Sequence, residues 1–563
     1  MSSPFPLHLW TFSHFSHARF FCLLLRTWCR SKQDFFEDFS VKLVKAFCVV
    51  MERRYSHSAT PECPHPFVHK LKLTTAQQIR GIVQGCFLFP IRMTLTALIF
   101  LIMWPFARLR FAGLSEEERA KPVSGWRRWL FHPIIFLLSR AAFFSLGFLW
   151  IKVKGRRAGL KEAPVLAVAP HSGFLDMLVL CPTQLPTVVS RSENTGLPVI
   201  GALLEFNQSV IVSRKDPESR RKCVTHIKER LTSNGHWPQM LMFPEGTTTN
   251  GSVLIKFKPG AFLAGVPVQP VLLRYPNRLD TTRWTYKGTS WIAALWYTTS
   301  QLYTNVTVEY MPVYTPSQEE KADPNLYADN VQKLMAKALD LPATDYVMEG
   351  RVPVNKLGGV SLPLEPPARQ TLCLLYKNGF RAADVESALV RMIDRCQSDQ
   401  GWMVGEDELP SLLGLTDRPT AAKIYSLYSK DEEVDLRQIY LSVAAISGLV
   451  GLKSLLHTAV TMFDCDGVGS LSAVELSDLM GALVGIRQHN TTALYTELAR
   501  GRRPTEEDLL RVLTSHPTYQ RLLNEYLQPE EAGPVTSSSS LTNGEPRGSK
   551  NNNNGAVFTN KAD

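Results

Sequence analysis

The chain has 563 residues, of which 45% are hydrophobic and 20% are charged, and a chain of this length is expected to hold more than one globular domain. Its net charge of +11 favours acidic partners such as an anionic lipid surface or a polyphosphate substrate. Nucleic acid is disfavoured, because no basic run is interleaved with aromatic residues. The ten cysteines include no Cys-x-x-Cys pair, which argues against a zinc site and a disulfide framework.

The amino-terminal segment 1–66 is predicted to be an extension, either a disordered or amphipathic segment or an alternative amino terminus. Its apolar run at residues 20–25 is too short to cross a bilayer and is flanked by Arg19 and Arg26. No small-residue cleavage site accompanies the run, so we do not expect a secretory signal peptide. Because Met51 lies shortly before Pro66, near which the family resemblance described below begins, we expect residues 1–50 to be dispensable.

Two long apolar segments predict membrane-associated helices in residues 67–152. The first, at about 85–106, has one charge, Arg92, and reaches the roughly 20 residues that a bilayer core requires. The second, at about 129–151, carries Arg140 near its middle, where a lone arginine costs roughly 2.5–3.5 kcal/mol on insertion. We predict that the first spans the membrane. For the second, spanning, re-entering and lying beneath the next domain stay open, and two buried core helices are the alternative for both.

Strand-like and helix-like segments alternate in residues 153–350, which predicts an α/β layer structure. The segment 219–231 is charged, with apolar residues spaced for one side of a helix. Short apolar runs bounded by proline or glycine predict buried strands at 165–169, 210–213, 240–243 and 268–275.

Two short loops, 170–176 and 243–250, follow predicted strands and carry His171, Asp176 and Glu245. Ligands of open α/β sheets bind beyond the carboxyl ends of the strands, so we expect these three side chains to converge on one crevice. An imidazole can accept a proton from a hydroxyl group near neutral pH. A neighbouring carboxylate would fix its tautomer and stabilise the imidazolium that forms.

Residues 351–530 are helical and more acidic, which predicts an all-α, EF-hand-like domain, followed by a disordered tail at 531–563. The loop 464–475 has the spacing of an EF-hand, with Val468 at position five, where an oxygen ligand is usual. We therefore expect weak calcium binding at best and a structural role. An upstream segment, 429–440, is interpreted as a degenerate partner loop. The weak calcium candidates are Asp464, Asp466, Ser470 and Glu475.

Four sequence blocks in a fixed order resemble the motifs of the glycerophospholipid acyltransferase family, the 1-acylglycerol-3-phosphate acyltransferase-like proteins. They are His171-x-x-x-x-Asp176, Ile-Val-Ser-Arg at 211–214, Phe-Pro-Glu-Gly-Thr at 243–247 and Val-Pro-Val-Gln-Pro-Val at 266–271. The resemblance covers about residues 126–341. With the carboxyl-terminal region, the chain resembles the EF-hand-tailed lysophospholipid acyltransferases, and most of all those acting on lysophosphatidylethanolamine or lysophosphatidylcholine.

The resemblance implies an α/β acyltransferase domain that moves an acyl chain from acyl-coenzyme A to a lysophospholipid hydroxyl group, with no required cofactor. His171 would be the general base and Asp176 its partner. The implied substrate-binding residues are Arg191, Arg214, Glu245, Gly246, Thr247, Asn250, Lys256 and Lys258. Arg214, Lys256 and Lys258 would contact phosphate, and solvated surface charge is the alternative for the two lysines.

Two other functions stay open: acylation of lysophosphatidic acid or glycerol 3-phosphate, and a calcium-responsive membrane adaptor built on an acyltransferase scaffold. The adaptor is disfavoured because His171, Asp176 and Glu245 are all present. Family members that use lysophosphatidic acid usually carry an arginine after Glu-Gly-Thr, where this chain has Thr248, so we expect a capped lysolipid as acceptor. The implied partners are acyl-coenzyme A, the lysophospholipid and the bilayer of the endoplasmic reticulum or another internal membrane, without nucleic acid.

Overall fold

The computed structural model describes residues 65–213, 216–397, 401–429 and 433–527. The predictions for the extension 1–64, for the tail 531–563 and for Arg214 therefore lie outside the described residues. The strands of the described residues are β1 Val68–His69, β2 Ile151–Lys154, β3 Val165–Ala169, β4 Thr187–Arg191, β5 Val210–Val212, β6 Met240–Met242, β7 Val268–Arg274, β8 Lys287–Gly288, β9 Val306–Tyr310, β10 Tyr346–Glu349, β11 Val352–Leu357, β12 Val360–Pro363, β13 Met403–Val404 and β14 Val434–Asp435.

Helices precede, separate and follow these strands. The helices of the described residues are α1 Thr75–Leu109, α2 Glu116–Arg119, α3 Gly125–Ser145, α4 Pro198–Phe206, α5 Pro217–Leu231, α6 Trp291–Thr299, α7 Gln318–Ala322, α8 Pro324–Leu339, α9 Pro367–Lys377, α10 Ala382–Gln397, α11 Leu409–Leu413, α12 Arg418–Tyr428, α13 Leu436–Ser447, α14 Leu452–Phe463, α15 Ala473–Val484, α16 Thr492–Ala499, α17 Glu506–Ser515 and α18 Pro517–Leu522.

A seven-stranded sheet forms the centre of the fold, in the order β2-β9-β7-β3-β6-β4-β5. Five neighbouring strands, from β7 to β5, run parallel, whereas β9 is antiparallel to β7. All five residues of β3 are buried, as expected for a central parallel strand that is covered on both faces. The four predicted strands are confirmed as β3, β5, β6 and β7, and the predicted helix 219–231 lies within α5. The α/β prediction is therefore confirmed for this region.

Helix α1 contains the first predicted membrane segment and extends beyond it at both ends. A capping box starts the helix: Thr74 accepts from the main chain of Gln77, whose side chain returns to the Thr74 amide. By length and apolar composition, α1 is the one helix in the described part of the chain that could cross a membrane. The second predicted span, 129–151, is not one helix, because α3 ends at Ser145 and β2 begins at Ile151.

The lone arginines of both apolar segments bind main-chain carbonyl groups. Arg92 of α1 donates to the carbonyl oxygens of Thr299 at 2.8 Å and Leu302 at 2.7 Å, at and beyond the carboxyl end of α6. Arg140 of α3 donates to the carbonyl oxygen of Leu149 at 2.7 Å. The carboxyl end of a helix attracts cations because its last carbonyl groups lack helical partners. The positive charge of each arginine is therefore stabilised by main-chain carbonyl oxygens of the protein.

One face of α1 packs against the rest of the protein along most of its length. A Cβ atom at Gly85 would lie 2.5 Å from the ring of Trp296, so glycine permits the close approach to α6. Thr96 is hydrogen bonded to Ser145 of α3 at 2.6 Å. The opposite face is an exposed apolar strip, the α1 strip, made of Ile79, Ile82, Val83, Phe87, Ile91, Leu95, Leu98, Leu101, Ile102, Trp104 and Leu109.

The carboxyl-terminal region begins with an antiparallel sheet, β10-β11-β12. The prediction of an all-α region from residue 351 is wrong at this point. Gly358 and Gly359 both have positive φ and form the tight turn between β11 and β12, a combination typical of two-residue hairpins. The residues that follow are helical apart from β13 and β14, and their side chains share one hydrophobic core.

The loop after α14 pairs with a segment that the sequence analysis did not identify. Ser470 forms a β-bridge with Thr505, and the amide of Leu471 donates to the carbonyl oxygen of Pro504 at 2.9 Å. The predicted partner segment, 429–440, instead contributes β14, which pairs with β13. The interpretation of 429–440 as the partner loop is therefore wrong, and the segment before α17 takes that place.

Candidate active site

The carboxyl ends of β3 and β6 bring the two predicted loops together. The Nδ1 atom of His171 lies 2.8 Å from Oδ2 of Asp176, which is buried in the short 3₁₀-helix after β3. The imidazole of His171 stacks on the ring of Phe243, with 4.1 Å between ring centroids, and its side chain is 19% exposed. The expected convergence is thus present, with a histidine that stays accessible and a carboxylate that does not.

Three further donors hold the carboxylate of Asp176. The main-chain amides of Ser172 and Gly173 donate to Oδ2 at 2.5 and 2.9 Å, and the hydroxyl of Tyr275 donates to Oδ1 at 2.6 Å. Burial and the charge of Asp176 raise the pKa of Tyr275 well above its usual range, so the phenol keeps its proton and donates. Hydrogen bonds of this kind stabilise the ionised carboxylate, which can then orient the imidazole.

Glu245 is buried and does not face an open surface. Its Oε1 accepts from the main-chain amide of His171 at 2.8 Å, and its Oε2 lies 3.4 Å from the hydroxyl of Thr249. Burial raises the pKa of Glu245 to about 8, since the His171 amide offsets the desolvation of the carboxyl only in part. Glu245 thus holds the histidine loop through this main-chain amide, and its part in an acceptor-binding turn stays a prediction.

The turn after Glu245 lies beside the histidine loop. Gly246 has φ +66°, a conformation that favours glycine, and the exposed Lys258 side chain lies against it. The amide of Thr249 donates to the carbonyl oxygen of His171 at 2.8 Å, and the predicted acceptor-binding residue Thr247 is half-buried. The loop 243–250 is thus joined to the histidine loop through both main-chain groups of His171, by Glu245 and by Thr249.

Asn250 binds the main chain ahead of α1. Its side-chain amide donates to the carbonyl oxygen of Val68 at 2.9 Å, and its main-chain amide donates to that of Pro66 at 2.8 Å. The geometry therefore assigns Asn250 a structural contact, whereas the sequence predicted substrate binding.

The predicted phosphate ligands differ in their surroundings. Lys256 is engaged by Asp345 at 3.0 Å and Asp329 at 3.3 Å, so its charge is compensated and the prediction of a phosphate contact is not supported. Arg191 is exposed at the carboxyl end of β4, on the same edge of the sheet as His171. Among the described residues, the exposed Lys258 stays a predicted phosphate contact. We add Arg191 as a second candidate, since the sequence analysis named it only as a substrate-binding residue.

A loop after β7 completes the site, and the sequence analysis did not identify it. The amide of Trp284 donates to the carbonyl oxygen of Ser172 at 2.9 Å. Asp280 and Arg283 of the same loop form an ion pair, and burial raises the pKa of Asp280. A Cβ atom at Gly173 would lie 2.6 Å from the carbonyl oxygen of Thr282. The histidine loop is therefore packed directly against this second segment of main chain.

The loop 464–475 arranges its carboxylates around main-chain amides. Asp464 accepts from Gly469 at 2.7 Å, and Glu475 accepts from Ser472 at 2.7 Å. Asp466 forms an ion pair with Arg503 at 3.2 Å, and Val468 supplies no ligand. No group of three or more His, Cys, Asp or Glu in the described residues is positioned to hold a metal ion. Weak calcium binding at this loop stays a prediction.

Comparison with known proteins gives a consistent answer. Residues 150–274 match the protein-family model described as Acyltransferase. The chain is 44% identical over 478 residues to lysophospholipid acyltransferase LPCAT4 of Xenopus tropicalis, which covers 83% of this chain and 91% of that protein. It is 38% identical over 469 residues to lysophosphatidylcholine acyltransferase 2 of Homo sapiens, with 83% and 86% of the two chains covered.

A third curated relative is lysophosphatidylcholine acyltransferase 1 of Danio rerio, 39% identical over 433 residues, with 77% of this chain and 83% of that protein covered. Among solved structures, the chain is similar to the 1-acyl-sn-glycerophosphate acyltransferase PlsC of Thermotoga maritima. That match has 17% identity and a TM-score of 0.33 and covers 47% of this chain and 98% of that one. With so low a TM-score, the structural match adds nothing to the family assignment.

Proposed function

Because this chain belongs to the lysophospholipid acyltransferase family and is an acyltransferase, we propose that acyl-coenzyme A is its donor and His171 its general base. The observation that carries this proposal is the 2.8 Å contact between Nδ1 of His171 and Asp176. With Nδ1 donating to the carboxylate, Nε2 is left as the proton acceptor. An accessible base next to a buried orienting carboxylate suits attack by a hydroxyl group.

The reaction proceeds by addition and elimination. The lysophospholipid hydroxyl oxygen bonds to the thioester carbonyl carbon while Nε2 of His171 takes the hydroxyl proton. The tetrahedral intermediate then breaks its carbon–sulfur bond, and the leaving thiolate of coenzyme A receives the proton from the imidazolium. General-base assistance of this kind is typically worth about 10²–10⁴-fold in rate. Asp176 stabilises the imidazolium between the two steps, and no metal ion takes part in either.

The acceptor reaches the site from a membrane. The α1 strip extends over most of a helix whose opposite face packs on the catalytic region, so α1 is suited to embedding one face of the protein in a bilayer. Trp129 and Trp150 add exposed aromatic surface next to α3. Tryptophan favours the boundary between lipid and water. This face supports attachment of the enzyme to a membrane, and the endoplasmic reticulum or another internal membrane is the location that the family resemblance implies.

The acceptor is a lysophospholipid with an ethanolamine or choline headgroup. Thr248 stands where an arginine is usual in relatives that use lysophosphatidic acid. A phosphomonoester carries up to two negative charges and would require that cation, whereas a phosphodiester carries one. Arg191 and Lys258 provide the phosphate contacts. The relatives include acyltransferases named for lysophospholipids in general and for lysophosphatidylcholine.

A radiolabelled acyl-coenzyme A assay tests the proposal directly. Purified protein in detergent or vesicles is offered four acceptors: lysophosphatidylethanolamine, lysophosphatidylcholine, lysophosphatidic acid and glycerol 3-phosphate. We expect the highest kcat/KM with one of the two capped lysolipids. A clear advantage for lysophosphatidic acid would overturn the acceptor assignment while leaving the acyl transfer intact. No transfer to any acceptor, from a protein that binds acyl-coenzyme A, would overturn the enzymatic role.

A further inference from the structure

A second polar cavity lies at the opposite edge of the sheet from His171. It has a volume of about 440 Å³ and is bordered by the residues that lead into β3, β4 and β6, namely Leu160, Pro186 and Gln239. Strands advance about 3.3 Å per residue, so the length of β3 separates this cavity from the histidine loop by roughly 15 Å. The cavity is thus distinct from the catalytic crevice.

The cavity concentrates positive charge. We call Arg110, Arg128, His132 and Arg157 the basic pocket, and none of the described residues that line the cavity is acidic. Burial and the charges of Arg128 and Arg110 lower the pKa of His132 to about 4, so the positive charge comes from the three arginines. Arg157 is held by neutral partners: its Nη1 donates to the side-chain oxygen of Gln184 at 2.7 Å, and its Nε donates to that of Gln239 at 3.1 Å. These bonds orient the guanidinium without cancelling its charge, as expected for a preformed anion site.

Arg110 is the most deeply buried member of the basic pocket. Its Nη1 donates to the carbonyl oxygen of Phe206 at 2.7 Å, and its guanidinium lies 4.2 Å from the centroid of the Phe206 ring. Its Nε has no hydrogen-bond partner, although the residue is only 5% exposed. Burial and the charge of Arg128 lower the pKa of Arg110 to about 10. A buried, charged donor without a partner is costly, and an anion would supply the missing acceptor.

A second buried polar atom next to the cavity also lacks a partner. It is the side-chain oxygen of Asn207. This atom is a hydrogen-bond acceptor, whereas the unpartnered Nε of Arg110 is a donor. A phosphate oxygen would satisfy the donor, and a hydroxyl group on the same ligand would satisfy the acceptor. We propose that the basic pocket binds a phosphate ester that also carries a hydroxyl group, at a site separate from the catalytic centre.

The surroundings of the basic pocket favour a phosphate that is carried by a lipid. Arg128 and His132 belong to α3, and Arg110 follows the end of α1, so the membrane-facing helices form one wall. Trp126 and Trp129 flank Arg128 on α3 and are 63% and 79% exposed. Tryptophan side chains prefer the level of the lipid headgroups, which is where lipid phosphates lie. A hydroxylated anionic lipid such as phosphatidylglycerol has the required chemistry, and glycerol 3-phosphate carries the same two groups in soluble form.

Arg128→Gln is the most informative variant, because Arg128 is exposed and its loss should leave the fold intact. Arg157→Gln serves as a second variant from the far wall of the pocket. Lys121→Gln is the matched control, since it removes the same charge from an exposed residue that does not line the cavity. Full-length protein is tested in two arms: flotation with phosphatidylcholine vesicles, with and without phosphatidylglycerol, and calorimetric titration with glycerol 3-phosphate.

We expect Arg128→Gln to weaken binding to phosphatidylglycerol vesicles by about tenfold, and Lys121→Gln by less than about twofold. If Arg128→Gln weakened binding of glycerol 3-phosphate by a similar factor but left binding to the vesicles unchanged, the soluble ester would be the ligand. Equal losses for Arg128→Gln and Lys121→Gln, or no loss with either pocket variant, would overturn the proposal. Acyl transfer in uncharged vesicles should be unchanged by Arg128→Gln, which separates failure of this proposal from failure of the proposed function.

Discussion

The hydroxyl of Tyr275 and the imidazole of His171 bind the two different oxygens of Asp176, at 2.6 and 2.8 Å. The carboxylate is thereby fixed from both sides, and its hydrogen bond with the imidazole fixes the orientation of the ring in turn. Tyr275 acts on the ring through the Asp176 carboxylate. It is therefore a positioning residue, whose contribution should appear in turnover and in the pH profile.

We expect Tyr275→Phe to lower kcat by about tenfold with little change in KM, because one hydrogen bond to a buried charge is lost while the ring stays in place. The acidic limb of the pH–rate profile should shift as the surroundings of Asp176 change. Tyr310→Phe is the control, since the Tyr310 hydroxyl also donates a hydrogen bond, but to the carbonyl oxygen of Pro182, away from the site. Equal effects of the two variants would contradict the positioning role.

His171→Ala should lower kcat by at least about 10²-fold, because general-base assistance is lost. The variant should still fold, since the side chain is partly exposed and its main-chain contacts to Glu245 and Thr249 persist. Steady-state kinetics and thermal unfolding are measured together, with the exposed His226→Ala as control. Retention of more than a few per cent of wild-type turnover would show that another group is the base.

Glu245 makes the stability of the protein depend on pH. Burial raises its pKa in the folded state to about 8, so between about pH 4.5 and 8 the folded chain holds a proton that the unfolded chain has lost. Stability should therefore fall as pH rises through this window, by an amount on the order of a few kcal/mol. Glu245→Gln cannot titrate. Its melting temperature should decline less between pH 5.5 and 8.5, and parallel declines would contradict a raised pKa.

Arg92→Leu should destabilise the protein even though it makes α1 more apolar. The substitution leaves the carbonyl groups at the end of α6 without their donor, at a cost of about 1–3 kcal/mol. Arg80→Leu is the control, because Arg80 lies exposed on the same helix. Thermal unfolding in detergent gives the comparison. If Arg92→Leu melted at or above the wild-type temperature, Arg92 would have no stabilising contact with α6.

Calcium binding should be weaker than the sensor range of about 10⁻⁷–10⁻⁵ M when measured by calorimetry on the full chain. Val468 supplies no oxygen, and Arg503 competes for Asp466. Val468→Asp combined with Arg503→Gln should tighten binding, whereas Val474→Asp, at an exposed position of the loop that supplies no ligand in an EF-hand, should not. Wild-type binding within the sensor range would contradict a purely structural role.

Sequence reasoning located the proposed catalytic pair, His171 and Asp176, because short apolar strands and the loops after them are local features. His171, Asp176 and Glu245 converge as the carboxyl-end rule for parallel strands predicts. Tyr275 could not be identified in this way, since its role depends on β7 lying next to β3, and strand order is not a local property. The inward direction of Glu245 and the pairing of Lys256 with two aspartates likewise depend on residues that are distant in sequence.

The carboxyl-terminal region shows the same limit. The spacing of acidic residues identified the loop at 464–475, but its partner segment at Pro504 and Thr505 has no such spacing. Similarly, apolar composition predicted one continuous membrane-associated helix at 129–151, although the chain must leave α3 at Ser145 to enter the sheet. In both cases contacts between residues distant in sequence determined the structure that the segment adopts.

The contact between Gly173 and the carbonyl oxygen of Thr282 restricts which amino acids position 173 can tolerate. Any side chain at position 173 would push the loop after β7 away from the histidine loop and disturb the amide that holds Asp176. In a saturation library selected for activity, position 173 should thus be depleted of substitutions as strongly as position 171. Such a data set would suggest that Gly173 takes part in the reaction, although its role is to leave space for the main chain of the loop after β7.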